Sequence, residues 1–192
     1  MDGPPIPRLT TPRMVLREWR ESDRGPFAEL NADPRVAEFL SGTLDRAASD
    51  ALVDRIRDHW ATNGYGLWAV ESLGDGAFLG FVGLATYTFE APFMPSVEVG
   101  WRLASAAWGH GYATEAARAA LRFGFEDLRL GEIVSFTVPE NLRSRAVMER
   151  LGMTRDPAGD FDHPRFAEGH RLRRHVLYRL RREAWRAANA ES

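Results

Sequence analysis

A chain of 192 residues with 44% hydrophobic and 27% charged side chains has the length of one compact domain and enough apolar content for a core. Its 25 basic and 27 acidic residues nearly cancel, leaving a net charge of −2 and no basic excess of the kind nucleic acids attract. Cysteine is absent and every basic residue is arginine, which excludes disulfides, thiol nucleophiles, Cys-rich zinc sites, the Walker lysine loop and Schiff-base chemistry.

The first 13 residues are proline-rich without an apolar run, so no signal peptide is expected there. No run of about 18 apolar residues occurs, so no membrane span is expected and a cytoplasmic location is the default. Residues 14–19 alternate and predict a first strand. Ser22 and Asp23 offer a cap for a short helix through Phe27 and Leu30. A second helix is predicted over 45–62, with Leu52, Val53, Ile56 and Trp60 on one stripe and Asn63-Gly64 as its stop. Three strands follow as a meander, 66–71, 78–87 and 96–103, with Gly74-Asp75-Gly76 as a hairpin turn. Residues 114–127 carry Ala113, Ala116, Ala117, Ala120, Leu121, Gly124 and Phe125 at helical spacing. A β-branched strand over 132–138 ends at Pro139, and a helix over 141–150 stops at Gly152. A strand over 153–156, a long loop, a last strand over 170–180 and a frayed helix over 181–190 complete the chain. This order implies a mixed α/β sheet with helices on both faces, without the regular alternation of a doubly wound fold.

Two features stand out as chemistry. In the strand over 96–103, Val97, Val99, Trp101 and Leu103 share one face, so Glu98 points the other way with Ser96, Gly100 and Arg102. After that strand, Gly109-His110-Gly111 opens a helix of small residues. Glycines there allow a tight turn, and the first helical turn adds free N–H groups and the positive end of the helix dipole. The arrangement reads as an anion site of the kind that takes a pyrophosphate. A dinucleotide fingerprint would need glycine where Thr114 stands, and a left-handed turn without a ligand stays open on the residues alone. The histidines show no metal spacing, so no metal is expected.

The segment Trp101-Arg102-Leu103, then Trp108-Gly109-His110-Gly111-Tyr112-Ala113-Thr114-Glu115-Ala116, resembles the signature of GNAT-superfamily N-acetyltransferases. More narrowly it is similar to the branch containing the ribosomal-protein acetyltransferases RimJ and RimL. Trp108 stands where the superfamily more often has Gln or Arg. A second segment, Asn141-Leu142-Arg143-Ser144 followed by Leu151-Gly152-Met153, resembles the same branch at the expected distance.

The resemblance implies a single acetyltransferase domain with a core over about 14–180 and peripheral ends at 1–12 and 181–192. Its sheet would be mostly antiparallel, of about seven strands, with a splayed parallel pair. It implies acetyl-CoA as cosubstrate, held by Val99, Gly100, Trp101, Trp108, Gly109, His110, Gly111, Tyr112, Ala113, Thr114 and Asn141. Glu98 would be the general base, acting through water, and Ser144 would hydrogen-bond the departing thiolate. Read without the resemblance, Glu98 is a surface carboxylate or one ion-paired with Arg102 on the same face, and Asn141 and Ser144 are a helix cap. The loop 160–165 brings Asp162 and His163 forward as acceptor-binding residues or as an alternative base. The expected activity is direct acetyl transfer to an amine, either a protein N-terminus or a small molecule. A non-catalytic acyl-CoA-binding module is the alternative, and the chain is expected to be a monomer or homodimer.

Overall fold

The computed structural model describes residues 5–190; expectations for residues 1–4 and 191–192 lie outside them. Eight strands form one sheet in the order β1-β2-β3-β4-β5-β6-β8-β7, with six α-helices among the described residues. The pairings are antiparallel apart from β5 with β6. The strand count is thus one above the expected seven, because Leu9–Thr10 (β1), within the expected peripheral end, pairs with Met14–Arg17 (β2).

The chain forms two compact units. The first comprises residues up to Ala85 together with Gly100–Ala120. Here β2 pairs with β3 (Leu67–Ser72), which pairs with β4 (Phe78–Thr86). The alternation expected over 14–19 is replaced by a strand buried on both sides, because Arg17 is itself 6% exposed. Its guanidinium is satisfied by Asp23, at 2.7 and 2.8 Å, and by Glu71 at 2.7 Å. Asp23 is therefore occupied, accepting also from the Arg20 amide, and helix α1 (Arg24–Ala32) starts after it without a side-chain cap. A single turn, α2 (Pro34–Ala37), is capped by Asp33. Helix α3 (Arg46–Asn63) begins under Asp45, whose carboxylate accepts from the Ala48 amide at 2.8 Å. It ends at Gly64 in the left-handed region, φ 72°. Its buried stripe is Ser49, Val53, Ile56 and Trp60, and Trp60 meets Trp68 edge-on at 4.9 Å.

The second unit comprises Thr86–Val99 and the residues from Leu121 onward. Strand β5 (Val97–Leu103) begins here, and its parallel pairing with β6 (Glu132–Thr137) is confined to Glu98 opposite Val134. Strand β6 pairs along its length with β8 (Arg174–Arg181), and β8 pairs with β7 (Thr154–Asp162). The strand expected over 153–156 is therefore longer, and residues 160–162 are strand rather than loop. The ladder breaks between Asp156 and Phe161, and the Asp160 carboxylate accepts the Leu177 N–H at 3.2 Å in that gap. With that donor satisfied, pairing resumes at Phe161 opposite His175. The last strand starts at Arg174, leaving His170 in a turn. Helix α4 (Tyr112–Arg122) continues through Asp127 as a wider π turn, and Phe125 packs on Trp185 of α6 (Arg182–Asn189) at 5.6 Å.

One glycine in the first unit is held by both conformation and space. Gly80 has φ +129°, and a Cβ there would run into the Arg102 carbonyl oxygen and lie 2.8 Å from the Leu103 Cα. Gly80→Ala is expected to cost roughly 2–4 kcal/mol, combining backbone strain with overpacking. Urea unfolding measures it, and an unchanged midpoint would contradict this packing.

Candidate functional site

The sequence-predicted residues fall into two groups, one in each unit. In the first unit, β5 ends at Leu103, a short 3-10 turn covers Ser105–Ala107, and α4 starts at Tyr112. Between them Gly109 and Gly111 both adopt left-handed backbone, at φ 80° and 78°. A Cβ at Gly109 would meet nothing, so the demand at that position is conformational and not one of space. The first bond of the helix runs from the Glu115 N–H to the Gly111 carbonyl at 3.0 Å. The amides of Tyr112, Ala113 and Thr114 thus belong to the free first turn, at the positive end of the helix. Trp108 is half-buried, and its indole N–H donates to the Leu103 carbonyl at 2.9 Å. That bond accounts for an indole at this position: it ties the turn to the end of the strand. His110 is exposed, with its ring 5.7 Å from Tyr112. Arg102 donates to Asn31 at 2.6 Å and lies over the Phe81 ring.

A clamp that the sequence reading missed fixes this turn. Arg13 donates through Nε to the Glu115 carboxylate at 2.7 Å and through Nη1 to the His110 carbonyl at 2.9 Å. Its guanidinium lies 4.6 Å over the Tyr112 ring. The same carboxylate accepts from the Thr11 hydroxyl at 2.7 Å and from the Arg13 amide at 3.0 Å. Burial pushes the Glu115 carboxyl upward, but Thr11 and Arg13 outweigh it and hold it below its ordinary value. Thr11 and Arg13 lie about a hundred positions from Glu115, and no local pattern connects them.

In the second unit Glu98 is 8% exposed. Burial pushes its carboxyl up to about 8, and the Tyr87 hydroxyl and the Phe136 N–H, which hydrogen-bond to it, only partly counter that. Around these two donors lies an assembly of rings. Phe136 meets Phe89 at 5.7 Å, Phe161 at 5.4 Å and Tyr87 at 6.1 Å. Phe89 stacks on Phe161 with 12° between planes. His163 joins at 4.7 Å from Phe89 and 5.0 Å from His175. Burial, then the neighbouring His175 and Arg165, push His163 down to about 4, and burial also lowers His175. Both imidazoles are consequently neutral near pH 7, and His163 is a far weaker base than Glu98.

Asn141 caps helix α5 (Leu142–Arg150) as expected, its side-chain oxygen accepting from the Ser144 N–H at 3.2 Å. Its amide nitrogen donates to Thr137 Oγ1 at 3.0 Å. Asp162 and His163 are neighbours in sequence but turn to different partners. Asp162 is ion-paired with Arg173 and Arg174, whereas His163 stacks into the rings. Val99 is fully buried beside Glu98, and Gly100 and Trp101 continue the strand into the first unit, half-buried. The sequence reading also missed Tyr87 and Phe136. The available signal was the density of aromatics across 87–93 and at 136, 161 and 166. Among the described residues, no group of three or more His, Asp and Glu side chains is placed to hold a metal ion, and no helix is long and apolar enough to cross a membrane.

Comparison with known proteins gives a family. The model of the acetyltransferase (GNAT) domain matches residues 13–154. The protein YkkB of Bacillus subtilis is 33% identical over 76% of this chain and 84% of its own length. The FsC-acetyl coenzyme A-N(2)-transacetylase of Aspergillus fumigatus is 31% identical over 93% of this chain and 78% of its own. Among solved structures, an acetyltransferase from Agrobacterium tumefaciens superposes with a TM-score of 0.74 at 30% identity, over 91% of this chain and 94% of that one.

Two outcomes follow from the geometry. Glu115→Ala removes the acceptor of the Thr11 hydroxyl, the Arg13 amide and the Arg13 guanidinium. Exchange of the residue-115 N–H, which bonds the Gly111 carbonyl, should therefore speed up, with Glu115→Gln, which keeps one accepting oxygen, in between; equal exchange in all three would refute the clamp. For Glu98 the sign is set by its raised value. Between about 4.5 and about 8 the folded chain keeps a proton that the unfolded chain has released, so this group's contribution to stability falls as pH rises through that window. Urea unfolding at about pH 5 and about pH 8.5 should show a smaller loss in Glu98→Gln than in the parent. Parallel losses would mean Glu98 is not buried as described.

Proposed function

The chain belongs to the GNAT acetyltransferase family, and we propose that it moves an acetyl group from acetyl-CoA directly to a primary amine. The observation that carries this reading is a single stretch of chain, from Glu98 to Thr114. It holds a buried carboxyl with a raised proton affinity and a turn whose backbone N–H groups suit an anion. The residues fit the cosubstrate: two left-handed glycines and a free first helical turn are what a pyrophosphate requires.

Acetyl-CoA supplies the thioester. The amides of Gly109, His110, Gly111, Tyr112, Ala113 and Thr114 hold its pyrophosphate, with Trp101 and Trp108 supporting the strand end and the turn. The N–H of Val99 or Gly100 donates to the thioester carbonyl, whose oxygen gains negative charge as the amine attacks. Glu98 takes the proton that the amine nitrogen loses, through a water, as the C–N bond forms. The C–S bond breaks and the sulfur leaves as a thiolate, which Ser144 stabilises by hydrogen bonding until it is protonated. Asn141 serves the pantetheine arm and its helix cap together. With no cysteine in the chain, an acetyl-thiol enzyme intermediate has no carrier. Asp162 and His163 border the acceptor. Within the family, the motifs at 101–116 and 141–153 favour the RimJ/RimL-like branch and a cytoplasmic enzyme.

A base with a value near 8 titrates close to working pH, where general-base catalysis is most effective. Using a hydrazide acceptor, which is already neutral at pH 6, separates this titration from that of the substrate. For the parent, kcat/KM for thiol release should rise with pH to a plateau above about 8. Glu98→Gln should lose that limb and lower kcat by about 10²–10⁴, with CoA binding unchanged. Turnover equal to the parent across pH would remove Glu98 from the chemistry. CoA binding without any acceptor-dependent thiol release would instead mark a non-catalytic acyl-CoA-binding module.

A further inference from the structure

We infer that the acceptor carries an aromatic ring beside its amine, and that this ring seats against Phe89, Phe136 and His163 with the amine at Glu98. The inference rests on the acetyl-transfer reading and names its acceptor class. One ring belongs to the carboxyl's own setting, since the Tyr87 hydroxyl hydrogen-bonds Glu98, and the Phe136 main chain donates to it as well, with the Phe136 ring 6.1 Å from Tyr87. An amine held at that carboxyl therefore places its substituent among the rings.

The ring assembly has a buried floor and a partly open outer layer. Phe93 and Phe161 are 8% and 5% exposed and pack with Val134 and Leu177 as core. Phe89, Phe136, His163 and Phe166 are half-buried, and Tyr87 is 41% exposed. The floor is needed for folding. The outer rings leave apolar surface in water next to a functional carboxyl, at a cost that a bound apolar group removes. Offset and edge-to-face ring contacts add about 0.5–1.5 kcal/mol beyond the area buried, which favours an aromatic over an aliphatic group.

The charge pattern argues against the other acceptor classes. His163 and His175 are uncharged near pH 7, and the charge that bears on His163 from nearby is the positive Arg165, so the wall offers no anion to further ammonium groups. Asp162, the neighbouring carboxylate, is ion-paired with Arg173 and Arg174. Glu98 is thus the carboxyl within the rings that answers to one amine, which suits an arylalkylamine better than a polyamine needing several.

The test compares phenethylamine, spermidine, ethylamine and an alanine-initiated peptide in thiol release from acetyl-CoA, with saturation-transfer NMR of phenethylamine on the CoA-bound protein. Phenethylamine should exceed spermidine and the peptide by at least about tenfold in kcat/KM. Phe89→Leu keeps apolar volume without the ring. It should raise KM for phenethylamine about tenfold, with a far smaller effect on KM for ethylamine. Saturation transfer should reach phenethylamine in the parent and weaken in the variant. Preference for spermidine or the peptide, or equal phenethylamine KM in Phe89→Leu, would overturn the ring site while acetyl transfer stood. Saturation transfer with no turnover on any amine would uphold the ring site and overturn acetyl transfer.

Discussion

Parallel neighbours cannot be joined by a hairpin, and that constraint organises the functional part of this chain. Glu98 of β5 stands opposite Val134 of β6 in the same direction, so the chain must leave the end of β5 and return by a crossover. Helix α4 fills the crossover. Its N-terminus therefore follows the end of β5, and its free amides fall where the strand's C-terminal end opens. The glycines at 109 and 111 make the reversal possible, and Arg13 and Glu115 hold it. The anion site we propose here would arise from topology and backbone rather than from a cluster of cations, which is consistent with a chain of near-zero net charge.

Buried charge is treated in two opposite ways. Arg17 is buried with Asp23 and Glu71 as direct partners, and its guanidinium is held above its ordinary value, with the Asp23 hydrogen bond the largest cause. That group is structural: pairing compensates desolvation and no proton moves at working pH. Glu98 has a phenol and a backbone N–H as its hydrogen-bonding partners, so burial dominates and its proton affinity rises. The same lack of pairing, applied to His163 and His175, makes them neutral. Under the proposed function, a carboxyl whose proton affinity is raised by burial among uncharged rings suits an amine, which must give up protons to react.

Much of this was legible in the sequence because it is local. The strand bearing Glu98, the glycine turn, the α4 and α5 helices and the Asn141 cap each depend on residues a few positions apart, and each lies where periodicity and capping put it. What failed was non-local. Arg17 reads as an exposed residue of an alternating strand until Asp23 and Glu71 fold onto it. Residues 157–162 read as loop because Pro157 and Gly159 interrupt the pattern, yet the Asp160 carboxylate substitutes for a missing ladder partner and the strand continues. Glu98 was placed by strand parity, but its Tyr87 and Phe136 partners come from other strand ends and carry no spacing signal. The family resemblance pointed to Glu98; it did not reveal the rings that surround it.

The central claim is that the turn after β5 is a coenzyme A site built from main-chain amides. Amide NMR titration with CoA tests it most directly in a protein of 21.6 kDa. The account predicts saturable shifts of the Gly109, Gly111, Tyr112, Ala113 and Thr114 amides, together with Val99 and Gly100. Binding that leaves those amides in place, or no binding at all, would contradict it.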